Sequence, residues 1–129
     1  MSSDSINVRP LGDHIGAQIE GIDISRTLSP ADFNKIHDAL TAYQVIFFRD
    51  QELTDGELIA FGRRFGPLYI HPYAPKDPDH PEVVILKSML ARADVWHSDA
   101  TFQEKPPLGS FLFAHEVPDN GGDTMFANM

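Results

Sequence analysis

The chain has 129 residues and a formal charge of −9, from 10 Lys plus Arg against 19 Asp plus Glu, with 42% hydrophobic residues and no cysteine. One globular domain fits this length, and surface scaling allows roughly two-thirds of the chain's surface to be buried, to a folded area of ~6,800 Å². The acidic balance argues against a nucleic acid or an anionic membrane as partner, since both need clustered cations. The absence of cysteine excludes disulfides, thiolate metal sites and thiol nucleophiles.

Acidic residues are spread along the chain: residues 1–65 hold 6 basic and 10 acidic groups, residues 66–129 hold 4 and 9. No signal peptide opens the chain and no run approaches 18 apolar residues, so a soluble, cytoplasmic protein is the expectation.

Ile6 and Val8 before the turn signal at Arg9-Pro10-Leu11-Gly12, then Ala17, Ile19, Ile22 and Ile24, alternate with period two and predict one or two strands. A helix follows. Ser29 suits its cap, Pro30 its first position, and Asp32 its positive end, while Phe33, Ile36, Leu40 and Tyr43 form one apolar stripe. Val45-Ile46-Phe47-Phe48 predicts a strand buried on both faces. Thr54 with Glu57 predicts a capping box for a second helix with Leu58, Phe61 and Phe65 on one face, stopped by Gly66-Pro67.

Residues 67–81 hold five prolines and read as a long loop. Beyond it the pattern predicts strands at residues 83–86, 96–102 and 110–114, a turn at Asp119-Asn120-Gly121-Gly122, and a strand beginning at Thr124-Met125-Phe126. The class expected is α+β, with two early helices and a β-rich second half. The end reads as a strand being entered, so residues 1–129 are expected to be a single domain that is the front part of something longer.

The informative segment is Trp96-His97-Ser98-Asp99-Ala100-Thr101-Phe102. On a strand, His97 and Asp99 share a face, with Thr101 continuing it and Trp96 and Phe102 on the other as an apolar wall. An imidazole and a carboxylate so placed offer two of the three ligands of a 2-His-1-carboxylate Fe(II) site. Alone, His-x-Asp is also the pattern of an exposed polar pair.

The setting of that pair resembles the taurine dioxygenase (TauD/TfdA) family of Fe(II)- and 2-oxoglutarate-dependent oxygenases. Trp-His-Ser-Asp-Ala-Thr-Phe is followed by Pro106-Pro107 and by Gly121-Gly122-Asp123-Thr124. Leu11-Gly12, Ile15-Gly16-Ala17, Gly21-Ile22-Asp23, residues 45–51, Phe65-Gly66 and Ile70-His71-Pro72 resemble further landmarks in order. The resemblance implies a double-stranded β-helix (jelly-roll) core with flanking helices, present here in part. It implies His97 and Asp99 as iron ligands, Thr124 hydrogen-bonded to the 2-oxoglutarate carboxylate, and His71 facing the substrate's anion as donor or cation. Tyr73 would line the substrate pocket, although the family's tyrosine is offset by one position. Ala93 stands where taurine-specific members have a polar Asn, which turns the expectation away from taurine itself.

The implied activity is hydroxylation of a small anionic substrate (sulfonate, sulfate ester or carboxylate) with O₂, giving succinate and CO₂; a homo-oligomer is compatible with it. The resemblance also requires a second His ligand and an Arg for 2-oxoglutarate. After Asp99 the chain holds only His115, too close to match that His, and Arg92 is its last arginine. Two alternatives stay open: a truncated, non-catalytic chain, and a cupin-like metal-binding module using His97, Asp99 and His115.

Overall fold

The computed structural model describes residues 6–87 and 94–129. Strand β1 (Asn7–Pro10) runs antiparallel to β2 (Ala17–Glu20), with Val8 opposite Ile19. Strand β3 (Ile46–Phe48) lies parallel on the other side of β2, with Ile19 opposite Phe48. A parallel neighbour needs a crossover, and helix α1 (Pro30–Tyr43) provides it. The sheet order is β1-β2-β3.

Local chemistry sets the helix ends. The Ser29 side chain accepts the Asp32 N–H, Pro30 fills the first turn, and Gln44 closes α1 in the left-handed region at φ +63°. Helix α2 (Asp55–Arg63) carries the full capping box: the Thr54 hydroxyl accepts from the Glu57 N–H while the Glu57 carboxylate accepts from the Thr54 N–H at 2.8 Å. Ile36 and Ala39 bury the inner face of α1, and Ile59, Phe61 and Gly62 that of α2.

One core joins these elements. Ile19, Ile24, Leu28, Ile36, Ala39 and Phe61 are buried together, with Val8, Tyr43, Ile46, Phe48 and Phe65 against them. Edge-on rings knit its rim, Phe33 to Phe65 at 4.8 Å and Phe61 to Phe65 at 5.4 Å. Two side chains bridge backbone that the sheet leaves unpaired. The Gln51 amide donates to the carbonyls of Ile22 and Arg49 and accepts the Ile24 N–H, and Arg64 donates to the Leu28 carbonyl at 2.7 Å. Among the described residues no helix is long and apolar enough to cross a membrane.

Several expectations need correction. Residues 45–48 do not form a strand buried on both faces: β3 is a half-buried edge strand of three residues. Residues 83–86 contribute one isolated bridge, Lys76 to Val84. Residues 96–102, 110–114 and 124–126 are not strands. A strand is a pairing, and its N–H and C=O groups need a neighbouring ladder; among the described residues beyond 87 none forms. Ala100 at φ +53° turns the backbone immediately after Asp99, a conformation costing a non-glycine residue about 1 kcal/mol. The chain's accessible surface is 10436 Å², about half as much again as the compact value from surface scaling.

Candidate functional site

His97 and Asp99 meet without a strand. Asp99 Oδ1 lies 3.3 Å from His97 Nε2, and the backbone turns at Ala100 immediately after. Each side chain is also held at its other polar atom. His97 Nδ1 lies 2.8 Å from the Val95 carbonyl, an acceptor only, so Nδ1 carries a proton and Nε2 is the atom turned toward Asp99. Asp99 Oδ2 accepts the Ser110 hydroxyl at 2.9 Å. A nitrogen lone pair and a carboxylate oxygen at this separation fit adjacent positions on one divalent ion, whose donors at ~2.1 Å and right angles lie ~3 Å apart. The donor set, one imidazole and one carboxylate, suits Fe(II). The expected apolar wall is not formed: Trp96 is 69% and Phe102 71% exposed.

His71 sits elsewhere, in the proline loop, with Tyr69 and Tyr73 edge-on to its ring. Its Nδ1 accepts the backbone N–H groups of Tyr73 at 3.2 Å and Ala74 at 3.0 Å. The ring proton is therefore on Nε2, and of donor and cation these contacts fit the donor. Tyr73 is 90% exposed. Thr124 is exposed and follows Gly121 and Gly122, whose φ of +79° and +73° make the expected turn. Among the described residues, contacts link His97 with Asp99 and His71 with Tyr73; none joins those pairs to each other or to Thr124. Ala93 lies outside the described residues. His115 packs edge-on to Phe113 at 4.8 Å.

A second group of ligand-type side chains, Asp55, Asp77 and His80, converges within 4.8 Å. Turn formation accounts for its centre. Asp77 Oδ1 accepts the N–H groups of Asp79 and His80, and the latter bond above all holds its carboxyl below the ordinary 3.8.

Sequence reasoning did not find Ser110 or Gln51. Both act across chain separations, 11 residues to Asp99 and 29 to Ile22, where no local signal marks them.

Comparison with known proteins gives one consistent result. The family model described as "Taurine catabolism dioxygenase TauD, TfdA family" matches residues 7–129. The chain is 38% identical over 128 residues to the alkylsulfatase of Acinetobacter baylyi, covering 98% of this chain and 40% of that protein. It is 36% identical over 125 residues to the alpha-ketoglutarate-dependent sulfate ester dioxygenase of Pseudomonas putida, covering 95% and 42%. The crystal structure of a taurine dioxygenase from Burkholderia xenovorans superposes with a TM-score of 0.62 at 40% identity, covering 68% of this chain and 32% of that one. The chain thus spans about two-fifths of the length of these two curated relatives.

Proposed function

Because the chain belongs to the taurine catabolism dioxygenase TauD, TfdA family, we propose that it is the N-terminal part of a jelly-roll Fe(II)- and 2-oxoglutarate-dependent dioxygenase. The substrate proposed is a small organic anion, with sulfate esters ahead of taurine. The names of the relatives in Acinetobacter and Pseudomonas support that order.

The observation that carries the reading is the His97–Asp99 pair, with Nε2 and Oδ1 3.3 Å apart and the far atom of each side chain engaged. These two side chains would hold Fe(II), with a further ligand from outside residues 1–129. Fe(II) with 2-oxoglutarate and O₂ supplies oxidative decarboxylation to succinate and CO₂ and the oxidising power for C–H hydroxylation. Every other step assigned to this chain is one of holding or orienting. The Val95 carbonyl accepts the His97 Nδ1 proton and orients the ring so that Nε2 would be the ligating atom. The Thr124 hydroxyl would donate to the 2-oxoglutarate carboxylate. His71 would donate from Nε2 to the substrate's sulfate, sulfonate or carboxylate oxygen, its ring fixed by two backbone N–H groups, with Tyr73 beside it.

Trp96, the chain's only tryptophan, adjoins the pair and reports on it. Anaerobic titration with Fe(II) should quench Trp96 emission saturably, and His97→Ala and Asp99→Ala should each abolish the saturable phase. Identical quenching curves in the parent chain and both variants would overturn the reading.

A further inference from the structure

We propose that Ser110 is a positioning residue for Asp99, selecting which carboxylate oxygen faces His97, and that Phe111 delivers it from the folded core. The proposal rests on the reading of His97 and Asp99 as the metal-holding pair and adds a residue to it.

The case starts with Asp99. Its side chain is 65% exposed, so solvent alone would leave its rotamers free. The Ser110 hydroxyl removes that freedom. An ionised carboxylate only accepts, so Ser110 Oγ is the donor, and 2.9 Å is an ordinary O–H···O hydrogen-bond distance. With Oδ2 engaged, Oδ1 is the oxygen left beside His97 Nε2 at 3.3 Å. The Val95 carbonyl does the equivalent for the imidazole. Each member of the pair thus has one polar atom held and the other turned toward the shared space, the arrangement in which an outer partner fixes a ligand's orientation.

Ser110 could not do this from a drifting segment, and its neighbour shows why it does not drift. The Phe111 ring packs edge-on against Phe61 at 5.6 Å and Phe65 at 5.3 Å. Phe61 is 4% exposed and belongs to the core, so the contact ties residues 110–111 to the best-packed part of the molecule. The Phe111 ring also lies over Gly62, where a Cβ would stand in ordinary contact with it at 3.6 Å. The path of constraint runs from helix α2 through Phe111 to Ser110 and so to Asp99.

The test measures Co(II) affinity by quenching of Trp96 emission in the parent chain and in Ser110→Ala, Ser110→Thr and His97→Ala. Ser110 is exposed, so its substitution leaves the core intact, and the far-ultraviolet circular dichroism of each variant should match the parent. The expected result is an about 10- to 100-fold loss of affinity in Ser110→Ala, the usual effect of removing a ligand's outer partner. Ser110→Thr, which keeps the hydroxyl, should recover most of it, an outcome that loss of packing would not produce. Ser110→Ala binding Co(II) as tightly as the parent while His97→Ala does not would overturn the proposal and leave the metal pair standing. Equal affinity in all four proteins would overturn the pair itself.

Discussion

Residues 6–65 and residues 94–129 stand in contrast. The first stretch supplies both sides of most contacts in its core: strand against strand, helix against sheet, cap against helix end. In the second, Val95, Trp96, Phe102, Leu108, Leu112, Val117, Met125 and Phe126 are between 52% and 75% exposed. Both stretches have apolar segments of similar length. The difference lies in partners, and it shows that a hydrophobic pattern specifies a strand only when its neighbour is present.

The most sensitive way to break this comparison is amide hydrogen exchange. Amides in α1 should open only with the core, while those of residues 94–129 open locally. With a global stability of ~5 kcal/mol the rates should differ by about three decades or more. Uniform rates along the chain would remove the contrast. Next in size is Ile36→Ala, which truncates the largest fully buried side chain among the described residues and should cost about 2–5 kcal/mol in a urea melt followed by circular dichroism. Trp96 emission, arising from an exposed ring, should stay nearly unchanged through that transition. Thr54→Ala removes the hydroxyl of the capping box and should cost about 1 kcal/mol, with the loss confined to the same melt.

The smallest effect is a pH dependence. The Asp77 carboxyl is held below 3.8 chiefly by the His80 N–H. A depressed carboxyl contributes stability that is fully present above its unfolded value and lost as pH falls through the folded one. Asp77→Ala should therefore lower the melting midpoint slightly at pH 7, and the two proteins should converge well below pH 3.8. A difference that persists unchanged at pH 2 would rule out this account.

How far the sequence could be read follows the same division. Both helices were legible because their signals are local: Ser29 with Asp32, Thr54 with Glu57, and a three-to-four spacing of apolar residues. Ile59 was missed because α2 buries a wider face than its aromatic residues mark. The strands of the second half were over-read, since alternation describes a side chain's readiness to pair and says nothing of what it pairs with. The closeness of His97 and Asp99 was anticipated from strand geometry, yet it arises outside any strand. Ser110 and Phe111 lay beyond reach, because their partners at 99, 61 and 65 are set by tertiary packing alone.

Gln51 has a chemical consequence of its own. One amide serves three backbone groups, with its nitrogen on two carbonyls and its oxygen on an N–H. Glutamate is nearly isosteric but, when ionised, offers no donor. Slow hydrolysis of that amide during storage or heating would leave both carbonyls facing a negative charge, with almost no change in volume. A Gln51→Glu variant places the same charge there directly, against carbonyls that lose their donor while the side-chain volume is kept.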